Sequence, residues 1–250
     1  MKTYLSVVIP CYNEENNLKA GVLDQVDKFL SLQDYQSEVI VSDDESTDNS
    51  RQVVENYIKK HSRFRLLKNK HGGKAYAVRS GIENAKGEIV LFTDMDQSTP
   101  INEINKLLPF FQSGSDVVIG SRGMTRPNFP WYRKIMSWCF YNFRRIILLP
   151  NIIDTQCGFK ALKTKVALDL FPRLLIFKNQ TNAKGWKVGA FDVELLFLAN
   201  KIGYKTDEVI VDWKNQDLSK GKKQKFIKES KDMLKEILRV KMNDFNKLYN

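Results

Sequence analysis

Histidine is nearly missing from this chain: two in 250 residues, His61 and His71, both expected on the surface. Cysteine is scarce as well. Cys11, Cys139 and Cys157 are too few and too scattered for a disulfide framework or a zinc site, which fits a reducing compartment. Cys157 is expected as a small buried residue rather than a nucleophile. No stretch approaches the roughly 20 apolar residues that span a bilayer. The opening MKTYLSVVIP carries only a short apolar run, which reads as a strand and not as a signal peptide. There is no internal repeat and no low-complexity linker. What is present is a core: 42% hydrophobic and 11% aromatic residues exclude global disorder and allow one large α/β domain or two small ones. The net charge of +11 points to an anionic partner, either a phosphorylated metabolite, nucleic acid or an anionic membrane surface. The charge is uneven. Lysine accumulates after Ser219, and clustered Asp and Glu sit in the first third.

Apolar β-branched runs recur at 5–9, 38–42, 64–67, 88–92 and 116–120, with helical patterns between them at 17–30, 46–60, 74–84 and 101–112. Strands alternating with helices predict an α/β fold, a Rossmann-like, mostly parallel sheet flanked by helices. In such sheets ligands sit beyond the carboxyl ends of the strands. The unusual residues fall there. Pro10-Cys11-Tyr12-Asn13-Glu14 follow the first run, Asp43-Asp44 the second, Asp94 and Asp96 the fourth, and Ser121-Arg122 the fifth. A lone Asp-x-Asp is most simply a turn, and Ser98 before Pro100 starts a helix. Acidic residues after two strands that meet at one crevice suggest more: a nucleotide-sugar site. One carboxylate would accept hydrogen bonds from a base or ribose. Asp94 and Asp96 would hold Mg²⁺ or Mn²⁺ against a diphosphate.

The second half is less regular. Residues 125–149 mix aromatic and basic side chains, as suits either a membrane interface or a core helix with a solvated basic edge. A helix is expected over Phe191 to Ile202 and a strand over Glu208 to Val211. In the tail, Ile227, Leu234, Ile237, Leu238, Phe245 and Leu248 recur at near-helical spacing, so 216–250 reads as a basic amphipathic helix. Its face suits docking on anionic lipid or plain solvation.

VVIPCYNEENNL, VSDDESTDNS, NKHGGKAYAVRSGIENAKGEIVLFTDMDQS and IGSR, in that order, resemble glycosyltransferase family 2. DTQCGFKAL (154–162) and AFDVELLFLA (190–199) are similar to its dolichyl-phosphate glucosyltransferase and polyprenyl-phosphate mannosyltransferase branch. The resemblance implies a GT-A type fold, inverting chemistry, and transfer of a hexose from a nucleotide donor to a lipid phosphate at the cytoplasmic membrane face. UDP-glucose is favoured and GDP-mannose is the competitor. It implies a catalytic domain over 1–215, with 1–122 as the nucleotide-sugar half, 123–215 as the acceptor half, and the C-terminal helix after it. Pro10, Tyr12 and Glu14 would line the nucleotide pocket, Asp44 would hold the base, and Asp43 would assist or cap the turn. Asp94 and Asp96 would serve metal and diphosphate. Lys74, after two permissive glycines, would reach the diphosphate. Arg122, Arg133 and Ser137 would grip the acceptor phosphate. Asp192 is expected as a base, a donor-hydroxyl ligand or a helix-start residue, and Asp154 as a site or turn residue. Two departures stand out. Many lipid-phosphate members have Leu-Gln after the second Asp, whereas Gln97 comes one position early here. The polar stretch from Leu174 to Gly189 has no assigned role. Two other functions remain open: a family 2 enzyme acting on a saccharide hydroxyl, and a non-catalytic basic binding protein. Nucleic acid is not expected as a partner, because the acidic cluster would repel phosphates without a cation.

Overall fold

Seven strands pair into one sheet in the order β3-β2-β1-β4-β6-β5-β7. They are β1 (Leu5–Cys11), β2 (Ser37–Asp43), β3 (Phe64–Lys68), β4 (Ile89–Thr93), β5 (Val117–Ser121), β6 (Phe159–Lys163) and β7 (Thr206–Ile210). The structure is a computed structural model that describes residues 2–123, 141–177, 191–218 and 226–249. The helices given labels are α1 (Glu15–Lys19), α2 (Val22–Ser31), α3 (Ser50–Ile58), α4 (Lys74–Glu83), α5 (Ile104–Gln112), α6 (Thr164–Arg173), α7 (Phe191–Ile202) and α8 (Phe226–Phe245), and residues 141–147 are also helical.

The apolar runs are nearly continuous because the central strands are covered on both faces. Side chains alternate between the two layers, as the two-residue period of a strand requires. From β1, Val8 enters a core shared with α4, α6 and α7, whereas Val7 and Ile9 enter one shared with α2, α3 and α5. β4 divides the same way, Val90 and Phe92 to one side and Ile89 and Leu91 to the other. The helical pattern at 17–30 resolves into two helices. Gly21 breaks it with φ 78°, a left-handed conformation that glycine adopts without Cβ strain.

The sheet departs from the expected pattern at β6. β1, β2, β3 and β4 are parallel neighbours, but β6 lies antiparallel between β4 and β5, and β7 then pairs parallel with β5. Strand reversal has a functional consequence. The residues that precede β6 arrive at the same edge as the residues that follow β4 and β5. Residues 211–218 also return to this edge: Lys214 N–H donates to Ser98 O (2.8 Å), and Leu218 N–H donates to Asn17 Oδ1 (3.0 Å). Among the described residues no helix is long and apolar enough to cross a membrane.

Candidate active site

Four chain segments converge on the carboxyl edge of β1, β2 and β4. Their loops are tightly turned. Asn13, Glu45 and Gln97, one in each loop, have positive φ (56°, 63° and 48°), a conformation uncommon outside glycine that collects at functional sites.

The loop after β2 is closed by the protein itself. Asp43 and Asp44 are both fully buried. Arg51 clamps Asp43 Oδ2 through Nε (3.0 Å) and a terminal nitrogen (2.5 Å). Gly72 N–H and Gly73 N–H each donate to one oxygen of Asp44, both at 2.8 Å, so this carboxylate holds the turn that leads into α4. Burial raises the Asp44 carboxyl, and these two N–H groups oppose the shift without cancelling it. His71 Nδ1 lies 2.9 Å from Asp44 Oδ2, and its ring stacks on Tyr12 with centroids 4.7 Å apart. The expected surface histidine is therefore packed between the loops that follow β1 and β2.

The loop after β4 is built differently. Asp96 Oδ1 accepts from Ser98 N–H (2.8 Å), and Asp94 pairs with Lys74 at the start of α4. Burial first, and then the neighbouring Asp94 charge, raises the Asp96 carboxyl. Lys74 is buried, which works to lower its ammonium, but Asp94, Asp192 and Asp96 together hold it above its ordinary value. A Cβ on Gly158 would fall 2.0 Å from Asp94 Oδ2, so any larger residue there must displace this carboxylate. Gln97 Nε2 donates to Asp94 O (2.9 Å), while its Oε1 is buried with no hydrogen-bond partner.

β6 supplies the floor. Lys160 is fully buried, lies 5.6 Å from the Phe92 ring centroid and donates to Asp192 Oδ1 at 2.7 Å and to Cys157 O. At the end of β5, Arg122 grips Asp154 in a fork, Nε to Oδ2 at 2.6 Å and a terminal nitrogen to Oδ1 at 2.8 Å. Burial alone would raise the Asp154 carboxyl; Arg122 outweighs it and holds the group well below the ordinary carboxylate range. Arg122 also lies over Trp213, 5.6 Å from the ring centroid.

These segments match a known protein family. The model for glycosyl transferase family 2 covers residues 6–171, two thirds of the chain and every strand but the last. The chain belongs to glycosyl transferase family 2. The glycosyltransferase is 34% identical over 257 residues to a protein named dolichyl-phosphate beta-glucosyltransferase from Dictyostelium discoideum, covering 95% of this chain and 74% of that one. It is 30% identical to a protein of the same name from Saccharomyces cerevisiae, with coverage of 96% and 74%. Solved structures share its fold, the GT-A type. Mannosyl-3-phosphoglycerate synthase from Rubrobacter xylanophilus superposes with a TM-score of 0.63 at 14% identity, covering 98% of this chain and 75% of that one. Glucosyl-3-phosphoglycerate synthase from Mycobacterium tuberculosis, solved with Mn²⁺, uridine diphosphate and phosphoglyceric acid, gives 0.59 at 19% identity, with coverage of 95% and 77%.

The edge of the glycosyltransferase brings together Lys74, Asp94, Asp96 and Asp192, whose charges reach one another at Lys74. Pro10 and Tyr12 lie at the end of β1 and just past it, and Glu14 follows, accepting from Asn17 Nδ2 at 2.6 Å. Arg122 and Asp154, expected separately, form one ion pair. Arg133 and Ser137 lie outside the described residues, as do 178–189 of the unassigned polar stretch. Sequence reasoning missed Gly158 and Lys160, although both stand inside the flagged DTQCGFK. It also missed the return of 211–218. The signal for Lys160 was a lysine between Phe159 and Ala161 in a short strand, FKALK, whose second lysine closes it.

Proposed function

We propose that this glycosyltransferase moves glucose from UDP-glucose to the phosphate of a dolichyl or other polyprenyl chain, in the manner that the names of its relatives suggest. The observation that carries the acceptor class is the pairing of the site carboxylates. Asp94 is held by Lys74, Asp154 by Arg122 and Asp192 by Lys160. A sugar hydroxyl needs a general base, and each of these groups would lose its ion pair by taking a proton. A phosphate monoester is already largely dianionic near neutral pH, its second pKa being about 6, and needs positioning only. The fourth carboxylate, Asp96, would hold a cation, and the site so arranged suits an acceptor that brings no proton to remove.

In the reaction the acceptor phosphate oxygen forms a bond to the anomeric carbon as the bond to the nucleotide diphosphate breaks, with inversion. Tyr12 and His71 offer a flat surface beside the base, held from behind by the buried Asp44. Lys74 meets the leaving diphosphate. Asp192, oriented by Lys160, accepts hydrogen bonds from the donor sugar. Arg122, held straight by Asp154, faces the acceptor phosphate.

The donor set also fits a hard divalent cation. Two carboxylates one residue apart, with the unsatisfied Gln97 Oε1 beside them, match the preference of Mg²⁺ and Mn²⁺ for a few protein oxygens plus substrate phosphates. Asp94 and Asp96 would hold it, and it would neutralise charge on the departing diphosphate. Such a reaction belongs in the cytoplasm, at a membrane surface.

The test is transfer from UDP-glucose, and in parallel from GDP-mannose, to a short polyprenyl phosphate with Mg²⁺ or Mn²⁺. A glycosyl-phospholipid that disappears with chelator or with Asp96→Ala supports the assignment and names the donor. Metal-dependent nucleotide binding without lipid product moves the acceptor to the saccharides.

A further inference from the structure

α8 is apolar on two sides, and the protein uses only one. Ile237 and Val240 are fully buried in the core beside α7. Polar contacts fix that orientation. Arg239 and Tyr249 both bond the buried Glu194 (3.2 and 3.0 Å), and Lys201 pairs with Asp244 at 2.5 Å. The opposite side carries Leu234, Leu238, Met242 and Phe245, which are 37%, 47%, 64% and 86% exposed. At about 100° per residue these four fall within roughly 40° of Leu238, on one stripe. A solvated surface helix has one apolar stripe, facing its core. This helix has a second, facing outward, and contiguous exposed apolar surface marks an interaction site.

Charge decides what meets it. Lys235 and Lys241 are exposed and flank the stripe, one on each side at about 60°. Of the two acidic residues of 234–249, Glu236 pairs with Arg239, and Asp244 pairs with Lys201 at 2.5 Å and only distantly with Lys241, at 4.0 Å. The sequence just before, 220–231, adds six lysines against one glutamate. Two copies meeting through this face would bring those lysines together.

We propose that the outer face of α8 is a docking surface for an anionic lipid bilayer. Leu234, Leu238, Met242 and Phe245 enter the acyl boundary, and Lys235 and Lys241 lie along the headgroups with their stems among the chains. The helix then lies in the plane of the membrane, and α7 carries the catalytic edge on its other side. This goes beyond the proposed transfer reaction and does not depend on it.

The experiment is co-sedimentation of the full chain with phosphatidylcholine vesicles, with and without phosphatidylglycerol. It compares wild type, the double variant Leu238→Ser/Phe245→Ser and the double variant Lys235→Glu/Lys241→Glu. The expected result is binding that needs the anionic lipid and falls roughly tenfold or more in each variant, at unchanged thermal unfolding. Transfer to a water-soluble short-chain prenyl phosphate, measured without vesicles, stays at the wild-type rate in both variants. Absence of vesicle binding by wild type overturns the proposal, as does equal binding by the variants. So does a concentration-dependent dimer that the Leu238→Ser/Phe245→Ser variant abolishes, since the stripe would then meet a second copy. Failure of the soluble transfer assay in wild type, with vesicle binding intact, would count against the proposed reaction and leave the docking surface standing.

Discussion

Two acidic loops lie on the same sheet edge, one on either side of β1, and are built for opposite ends. After β2, Asp43 and Asp44 are sealed: both are fully buried, one clamped by Arg51 and the other holding the Gly72-Gly73 turn before α4. After β4, Asp94 pairs with Lys74 yet stays 38% exposed along its side chain, Asp96 accepts from the Ser98 N–H, and an amide oxygen nearby has no partner. The first loop has spent its charge on holding the chain. The second keeps Asp96 in reserve, at the cost of burial first and then of repulsion from Asp94, which together raise the Asp96 carboxyl. Two carboxylates in a motif therefore do not announce a ligand site. What distinguishes one is how little of their charge the protein has already answered.

The largest effect should come from Asp96→Asn. Transfer should fall by at least about 10²-fold, the scale for removing one group that meets developing charge. Folding stability by urea denaturation should hold or rise, because the raised carboxyl is a liability the amide removes. If Asp96→Asn instead unfolds the protein, the contrast between the loops is broken. Lys160→Met comes next. It leaves Asp192 without its ion-pair partner in a buried site, so stability should drop by about 3 kcal/mol. Residual activity should show a larger loss in kcat than in KM for the donor. Asp43→Asn should cost about 2 kcal/mol of stability, since Arg51 is partly exposed and recovers some hydration. Per folded molecule its effect on transfer should be minor.

The pH dependence sharpens the picture from a third side. Arg122 holds the Asp154 carboxyl below its unfolded value, so between the two the unfolded chain binds the proton and the folded chain does not. That stability is fully present above about pH 4 and drains away as the pH falls further. Thermal unfolding of Asp154→Asn, measured from neutral pH downward, should start from a lower midpoint and lose less on acidification. The smallest effect is Gly158→Ala: the added methyl must push Asp94 aside, and donor affinity should weaken by roughly tenfold with stability nearly unchanged. Isothermal titration with nucleotide and Mn²⁺ would read it.

The parallel half of the fold was legible in the sequence because β1, β2, β4 and β5 are apolar runs ending in conspicuous polar residues. β6 was not. Five residues with two lysines carry no clear period, and Lys160 is buried only because Asp192 and the Phe92 ring receive it. The positions of Asp94, Asp96 and Lys74 could be read, since a motif fixes them along the chain. Their partnerships could not. Asp154 finds Arg122 and Asp192 finds Lys160 across 32 residues in each case, and nothing local in a carboxylate's sequence says which cation the fold will bring. The same holds for α8. Its spacing showed an apolar helix, but only the packed structure separates Ile237 and Val240, turned inward, from Leu238 and Phe245, turned out.

The place of β6 in the sheet also sets an order of events during synthesis. β5 pairs only with β6 and β7, both encoded later, and β4 has β6 on one side. A nascent chain that has reached Ser121 therefore holds an apolar strand with no neighbour and a sheet with an open edge, the kind of surface that recruits other chains. The gap closes only when residues 159–163 emerge and slide between strands made earlier. Fragments ending before Phe159 should aggregate, and the step that fills the gap should limit the rate at which the whole chain folds.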